Sequence, residues 1–274
     1  MPIFDTHCHY NLAPLSKNIA AFSQAALASD VTQALTVGTD LTSSRAAIEI
    51  AATYPHIYAS VGIHPENLAQ VSSLNEQIAA LQTLLAEPKV IAIGETGLDY
   101  YRLSAEERAA QRDAQRDLLV AQLILAKNHR LPVVLHVRDD IDEAYFETLE
   151  LVKQHADLNN SLIFHCVSGP LSYIEEALAL PHSYFGFDGN LTFKNADDLR
   201  EIFRLVQDYD PSRLLLETDA PFLAPVPHRG KVCEPAMIAD TAAYAAQELG
   251  ANLEQIYQNS LAAFHLSSAA ASTV

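Results

Sequence analysis

The sequence predicts a single α/β domain folded as a (β/α)₈ TIM barrel, on three observations. Its 274 residues approach the typical size of one such barrel, about 250 residues. Eight short apolar runs recur along it. Helical patterns separate those runs, so strand and helix alternate, which is the α/β signature.

The first run is Ile3-Phe4, followed by Ala34–Val37, Ile57–Val61 and Val90–Ile93. Pro132–Leu135, Leu162–Phe164, Tyr184–Phe187 and Leu214–Leu216 complete the eight. Short continuous runs rich in β-branched residues read as strands buried on both faces, as in a parallel sheet. Eight of them point to a closed barrel; counting alone leaves an open doubly wound sheet as the alternative.

Between the runs, Leu74, Ile78, Leu81 and Leu85 share one helical face. Ser104 and Glu107 form a capping box that opens a long helix reaching towards His129, with Leu118, Ala121 and Leu125 on one side. Tyr145, Leu149 and Val152 mark another helix. Pro170 stands at the first turn of a helix carrying Ile174 and Leu178. Leu253, Tyr257, Leu261 and Phe264 form the last apolar stripe. No linker or repeat divides the chain. The domain is expected over residues 1–266, with 267–274 a flexible C-terminal tail.

Composition narrows the function. With 17 Lys+Arg against 34 Asp+Glu, the formal net charge is −17. That disfavours a protein that coats nucleic acid with a basic surface, but leaves room for a nucleic acid held locally by metal ions. Three separated cysteines with no CxxC pair are not a disulfide framework and suit a reducing compartment. The N-terminus lacks a signal-peptide pattern, and no apolar run approaches the roughly 18 residues of a membrane span. The expectation is a cytoplasmic protein with no membrane association and no obligate protein partner.

Barrel chemistry sits at the C-terminal ends of the strands. His7 and His9 follow the first run, His64 the third, Glu95 the fourth, His136 the fifth, His165 the sixth, and Glu217 and Asp219 the eighth. In extended backbone, residues i and i+2 point to one side. His7 and His9 therefore converge while Cys8 points away, and Glu217-Thr218-Asp219 repeats the spacing with carboxylates. Nitrogen and oxygen donors of this kind suit zinc, manganese or iron, with magnesium at an oxygen-rich position. The donors suffice for two divalent cations, and a carboxylate such as Glu95 can bridge where an imidazole cannot. Each residue alone has a structural reading as a turn, cap or packing group. Their coincidence at one end of separate strands favours a metal site. His56, His129, His155, His182 and His265 stand at no strand's C-terminal end and read as packing or surface residues. Cys8 and Cys166 read as small packing groups.

These residues also lie in longer segments. They include Phe4-Asp5-Thr6-His7-Cys8-His9, Gly62-Ile63-His64-Pro65, Gly94-Glu95-Thr96-Gly97-Leu98-Asp99-Tyr100-Tyr101 and His136-Val137-Arg138-Asp139. Phe164-His165-Cys166, Leu191–Lys194, Leu215–Pro225 and Pro227–Lys231 follow in order. In these segments the chain resembles the TatD family of metal-dependent deoxyribonucleases, a branch of the amidohydrolase-like barrels. It departs at Val167, where the family has Phe, and at Cys233, where it has Asn.

The resemblance implies that His7, His9, Glu95 and Asp219 hold one ion, and Glu95, His136 and His165 the other. It implies that His64 and Arg138 face the substrate phosphate, and that Glu217 supports the site from behind or takes a further cation. The implied activity is hydrolysis of DNA phosphodiesters by a metal-activated water, as a 3′→5′ exonuclease on single strands or 3′ ends. Asp219 would orient that water and take its proton. Lys194, Arg229 and Lys231 would form a basic rim. The rival readings are an ester or amide hydrolase, such as a D-aminoacyl-tRNA deacylase, and a non-catalytic metal-binding scaffold.

Overall fold

The structure, a computed structural model, describes residues 1–70 and 73–267. Eight parallel strands follow one another in chain order around a single sheet: β1 (Ile3–Cys8), β2 (Val31–Val37), β3 (Ile57–Val61), β4 (Val90–Asp99), β5 (Val133–Arg138), β6 (Leu162–Phe164), β7 (Ser183–Phe187) and β8 (Leu214–Leu216). The helices between and after them are α1 (Ile19–Ala28), α2 (Leu41–Thr53), α3 (Leu74–Leu84), α4 (Ala105–His129), α5 (Glu143–His155), α6 (Leu171–Leu178), α7 (Asp197–Tyr209), α8 (Ile238–Leu249) and α9 (Leu253–Ala263). The expected eight-stranded α/β barrel is the fold observed. The expected tail lies outside the described residues from 268 onwards.

Each predicted run is a strand, and several strands extend beyond the apolar stretch. β4 continues for six residues past Ile93, through Gly-Glu-Thr-Gly-Leu-Asp. β1 and β5 likewise run on to include His7 and His136. Those candidates lie within the C-terminal parts of strands rather than in the loops beyond. Pro170 is the residue before α6, not inside its first turn. The Ser104–Glu107 capping box is present at the start of α4.

Apolar burial occurs in two layers. Phe4, Leu35, Val37, Ala92, Val134, Ile163 and Leu215 fill the barrel interior and pack on Tyr257, Leu261 and Phe264 of the α9 segment. Asn259 fixes α9 by donating to the carbonyls of Pro211 and Leu214, at 2.8 and 2.9 Å. The opposite faces of the strands pack against the other helices. Removing this much apolar surface from water drives the closure, at about 25 cal/mol per Å².

The first and last strands meet through a short seam. His9 N–H donates to the Ala220 carbonyl at 2.7 Å and Asp219 N–H to the His7 carbonyl at 2.8 Å. Below them, the buried Asp5 carboxylate accepts from Thr218 N–H at 2.9 Å and Thr218 Oγ1 at 2.7 Å. Burial outweighs those donors and pushes Asp5 up to about 8, so the group is mostly protonated near neutral pH.

Two buried glutamines of α4, seven residues apart and so on one helix face, hold the strands that carry the site. Gln115 both accepts from Asp99 N–H, at 2.8 Å, and donates to Asp99 C=O, at 2.9 Å. Gln122 does the same for Ile63, at 2.8 and 3.0 Å, and reaches Thr96 Oγ1 at 2.6 Å. A side-chain amide thus stands in for a missing backbone neighbour.

Candidate metal centre

A cavity of about 630 Å³ opens at the C-terminal ends of the strands, lined by His9, His64, Glu95, His136, His165 and Asp219 together with Asp99, Arg138, Asn190 and Phe222. His7 lies fully buried beneath it. All six residues expected to hold metal therefore come together.

The donor atoms form two neighbouring groups. In one, His7 Nε2 and His9 Nε2 are 3.3 Å apart. Glu95 Oε2 lies 3.5 Å from His7 and 3.9 Å from His9, and Asp219 Oδ1 lies 3.8 and 3.3 Å from them. In the other, Glu95 Oε1 lies 2.9 Å from His136 Nδ1, 3.3 Å from His165 Nε2 and 3.7 Å from His64 Nε2. The rings of His7 and His165 stack at 3.6 Å between centroids, joining the two groups.

The outward partners of the rings fix which nitrogen carries the proton. His9 Nδ1 faces the Val37 carbonyl at 3.1 Å, and His165 Nδ1 faces Glu217 Oε1 at 3.0 Å. His136 Nε2 faces Asp99 Oδ2 at 3.0 Å. In each ring the outward nitrogen donates, so the inward one can offer a lone pair to a cation once its own proton has left. His64 is the reverse: its Nδ1 accepts from Glu66 N–H at 3.1 Å, leaving the proton on Nε2 and towards the cavity. His7 Nδ1 has no hydrogen-bond partner among the described residues.

This arrangement fits divalent cations. The inward nitrogens of His9, His136 and His165 meet carboxylate oxygens at contact distance, a pairing that holds with positive charge between the two, carried by a proton on the ring or by a cation that takes its place. Four donors about 2.0–2.1 Å from a zinc ion would stand about 3.3 Å apart, and the His7–His9 and His9–Asp219 separations are both 3.3 Å. Acid–base behaviour tells the same story. Burial disfavours the Glu95 carboxylate, yet the surrounding imidazoles hold it well below the usual range. Burial also disfavours charged His136, yet Asp99 and Glu95 push it up to about 9. Burial, reinforced by His136, lowers His64 to about 3, so His64 stays neutral.

Glu217 and Asp219 do not repeat the same-side geometry expected of their spacing. Asp219 has φ +53°, so the chain turns there instead of continuing extended. Glu217, fully buried, accepts from His165 and from Cys166 N–H at 2.6 Å. It stands behind His165, while Asp219 enters the cavity. Arg138 lines the cavity with its guanidinium 3.9 Å above the Tyr101 ring. Arg229, stacked on Phe193 at 4.1 Å, is exposed, as are Lys194 and Lys231, and none of the three is among the cavity's lining residues. Cys8 is buried and points to the Leu35 carbonyl at 3.2 Å.

Sequence reading missed Asp99. It closes the Gly-Leu-Asp end of β4, four residues after Glu95, and the even spacing in extended backbone was the available signal. The two substitutions against the family pattern, Val167 and Cys233, are both buried. Cys233 N–H donates to the Pro221 carbonyl at 3.0 Å and so still ties down the loop after β8.

Known proteins resemble the chain along almost its whole length. Residues 4–266 match the TatD-related DNase family. A metal-dependent hydrolase from Bacillus subtilis, YabD, is 32% identical over 256 residues, covering 93% of each chain. Another from Escherichia coli, YcfH, is 33% identical over 261 residues, covering 94% of this chain and 92% of its own. The crystal structure of the TatD homolog YJJV from Escherichia coli superposes with a TM-score of 0.83 at 27% identity, covering 97% and 98% of the two chains. A match that runs from the first strand past the last helix leaves the placement plain: this is a metal-dependent hydrolase, and the chain belongs to the TatD-related DNase family.

Proposed function

We propose that the chain is a deoxyribonuclease that hydrolyses phosphodiester bonds from the 3′ ends of single-stranded DNA, using two divalent cations. One observation carries the two-cation reading. Glu95 turns Oε2 towards His7 and His9 and Oε1 towards His136 and His165, the disposition of a bridging carboxylate. His7, His9, Glu95 and Asp219 would hold one cation, and Glu95, His136 and His165 the other. Zinc, manganese, iron and magnesium all match this donor chemistry to differing degrees.

When bound, such a pair neutralises phosphoryl charge and brings a water within reach of ionisation near neutral pH. The chain's own residues do the rest. Asp219 projects into the cavity, and the facing histidines outweigh burial and hold its carboxylate below the usual range. It is ionised at neutral pH and placed to accept a proton from the attacking water. His64 offers its Nε2–H to a phosphoryl oxygen as a neutral donor. Arg138 offers a planar fork whose orientation is steadied by Tyr101. Glu217 keeps His165 in one tautomer. Arg229 and Lys231, outside the cavity, would meet phosphates further along the strand. The net charge of −17 is no obstacle, because the carboxylates nearest the substrate would be neutralised by the bound cations.

The test combines elemental analysis of the purified protein with activity on 3′-labelled single-stranded DNA and on a model carboxylic ester. The wild type is expected to hold two ions and to shorten DNA from the labelled end. Glu95→Ala is expected to lose metal occupancy as well as rate. Normal occupancy of both ions in that variant would overturn the bridge. Turnover of the ester without cleavage of DNA would instead establish the ester or amide hydrolase, of which a D-aminoacyl-tRNA deacylase is the nucleic-acid-linked form.

A further inference from the structure

Two loops lock together beside the cavity. The turn after β7 contains Gly189, and a Cβ at that position would collide with the Leu223 carbonyl oxygen of the segment after β8. Val226 N–H donates across the same junction to Thr192 Oγ1 at 2.8 Å. Within the second loop, Phe222 N–H donates to the Asp219 carbonyl at 2.8 Å. The backbone around Phe222 is therefore held in place, yet the residue is 52% exposed. It is the one large, exposed apolar side chain among the described residues that also lines the cavity. Its centroid lies 6.3 Å from that of the His9 ring, at a steep 72°.

We propose that Phe222 is a stacking platform for a nucleobase at the end of the bound strand. The assignment rests on the DNA reading above and adds the subsite that reading lacks. Phe222 stands three residues from Asp219 and touches the His9 ring. A group seated on it is therefore joined to whatever phosphate lies over those donors. A nucleotide is the ligand that ties a phosphodiester to a flat, weakly polar face. Every base has such a face, so the platform holds a strand end without reading its sequence. The backbone that carries the ring is already held, so binding has only the side chain's own rotation left to order. The charged groups near the cavity mouth grip phosphate, and Phe222 supplies the contact that separates a nucleic acid from other phosphodiesters.

The experiment compares a single-stranded oligonucleotide with the same oligonucleotide whose two 3′-terminal residues are abasic. It uses the metal-loaded wild type, Phe222→Ala and Phe222→Trp. Metal content and melting temperature are measured alongside and are expected to match in all three. On the ordinary strand, Phe222→Ala should lower kcat/KM about 10- to 100-fold, mainly through KM, and Phe222→Trp should retain activity. On the abasic strand, the wild type should already be slow and Phe222→Ala should change nothing more. Equal losses on both strands, or no loss on either, would overturn the platform while leaving the DNA reading intact. A wild type that cuts neither strand but turns over the carboxylic ester would overturn both.

Discussion

The His136 imidazole is held between two carboxylates, with Nε2 3.0 Å from Asp99 Oδ2 and Nδ1 2.9 Å from Glu95 Oε1. Asp99 is itself held, its Oδ1 accepting from Tyr101 N–H at 2.9 Å and its backbone paired with Gln115. One carboxylate thus sets the tautomer and ring angle of the donor that the other meets.

Removing that constraint should weaken one cation and spare the other. Asp99→Asn keeps the backbone pairing with Gln115 but no longer presents only acceptors to His136. Affinity for the cation near His136 and His165 should fall by about 10- to 100-fold, while the ion near His7 and His9 binds as before. Calorimetric titration of the metal-free protein reads both sites. Two unchanged affinities would show that Asp99 does not govern His136.

Variants of Arg138 would separate the proposed phosphate recognition from metal binding, because a guanidinium stays protonated and is no metal ligand. Arg138→Ala should retain both ions. It should lose about 1.5–3 kcal/mol of transition-state binding on a phosphodiester, and little on a carboxylic ester. Arg138→Lys should recover only part, since a point charge does not reproduce the fork that lies on Tyr101. Equal losses of kcat/KM on the two substrates would argue that Arg138 merely organises the rim.

His56 and His129 provide the control. His56 leads into the N-terminal end of β3, far from the rim, with Nε2 3.1 Å from Ser23 Oγ and almost no exposure. His129 ends α4 at the surface. His56→Ala should cost roughly 1–3 kcal/mol of stability by leaving Ser23 unpaired. Both variants should keep activity within about tenfold, or 1.4 kcal/mol of barrier. A larger loss with normal metal content would mean that the site extends further than the cavity described.

Acid stability should depend on Asp139. Its buried carboxylate accepts from Arg108, at 2.9 and 3.2 Å, and from Ala144 N–H at 2.8 Å. Burial raises its pKa, but these donors outweigh burial and hold it below the usual range. A depressed folded pKa contributes stability above the ordinary carboxylate value, about 3.9, and loses it as pH falls through the folded value. Asp139→Asn should therefore lower the melting temperature at neutral pH and reduce the loss on acidification. An acid limb parallel to that of the wild type would assign this dependence to other groups.

Strand positions were legible because buried parallel strands are apolar on both faces. Ile57–Val61, Leu162–Phe164 and Leu214–Leu216 coincide with β3, β6 and β8. The far end of β4 was not, because Gly-Glu-Thr-Gly-Leu-Asp is polar and glycine-rich and looks like loop. It forms strand because Gln115 and Gln122 hold it from α4 and because Gly97 lets the His136 carbonyl approach where any side chain would collide. The metal-site candidates were legible through their common position at strand ends. Asp99 and Phe222 were not, since one sits in apparent loop and the other looks like an ordinary apolar residue. The left-handed turn at Asp219 likewise defeats a spacing rule that assumes extended chain.

The seam between β1 and β8 has a consequence for how the molecule keeps its shape. His7 and His9 arrive on the first strand and Asp219 just after the last, across a junction of a few hydrogen bonds. A cation shared by these three residues would act as a clasp on a bracelet, fastening two ends of a ring that the remaining strands only bring close. Ligand affinity and ring opening would then be two readings of one equilibrium. Chelation should loosen the amides of His9 and Asp219 sooner than those in the middle of β5 or β6, which hydrogen exchange would resolve residue by residue.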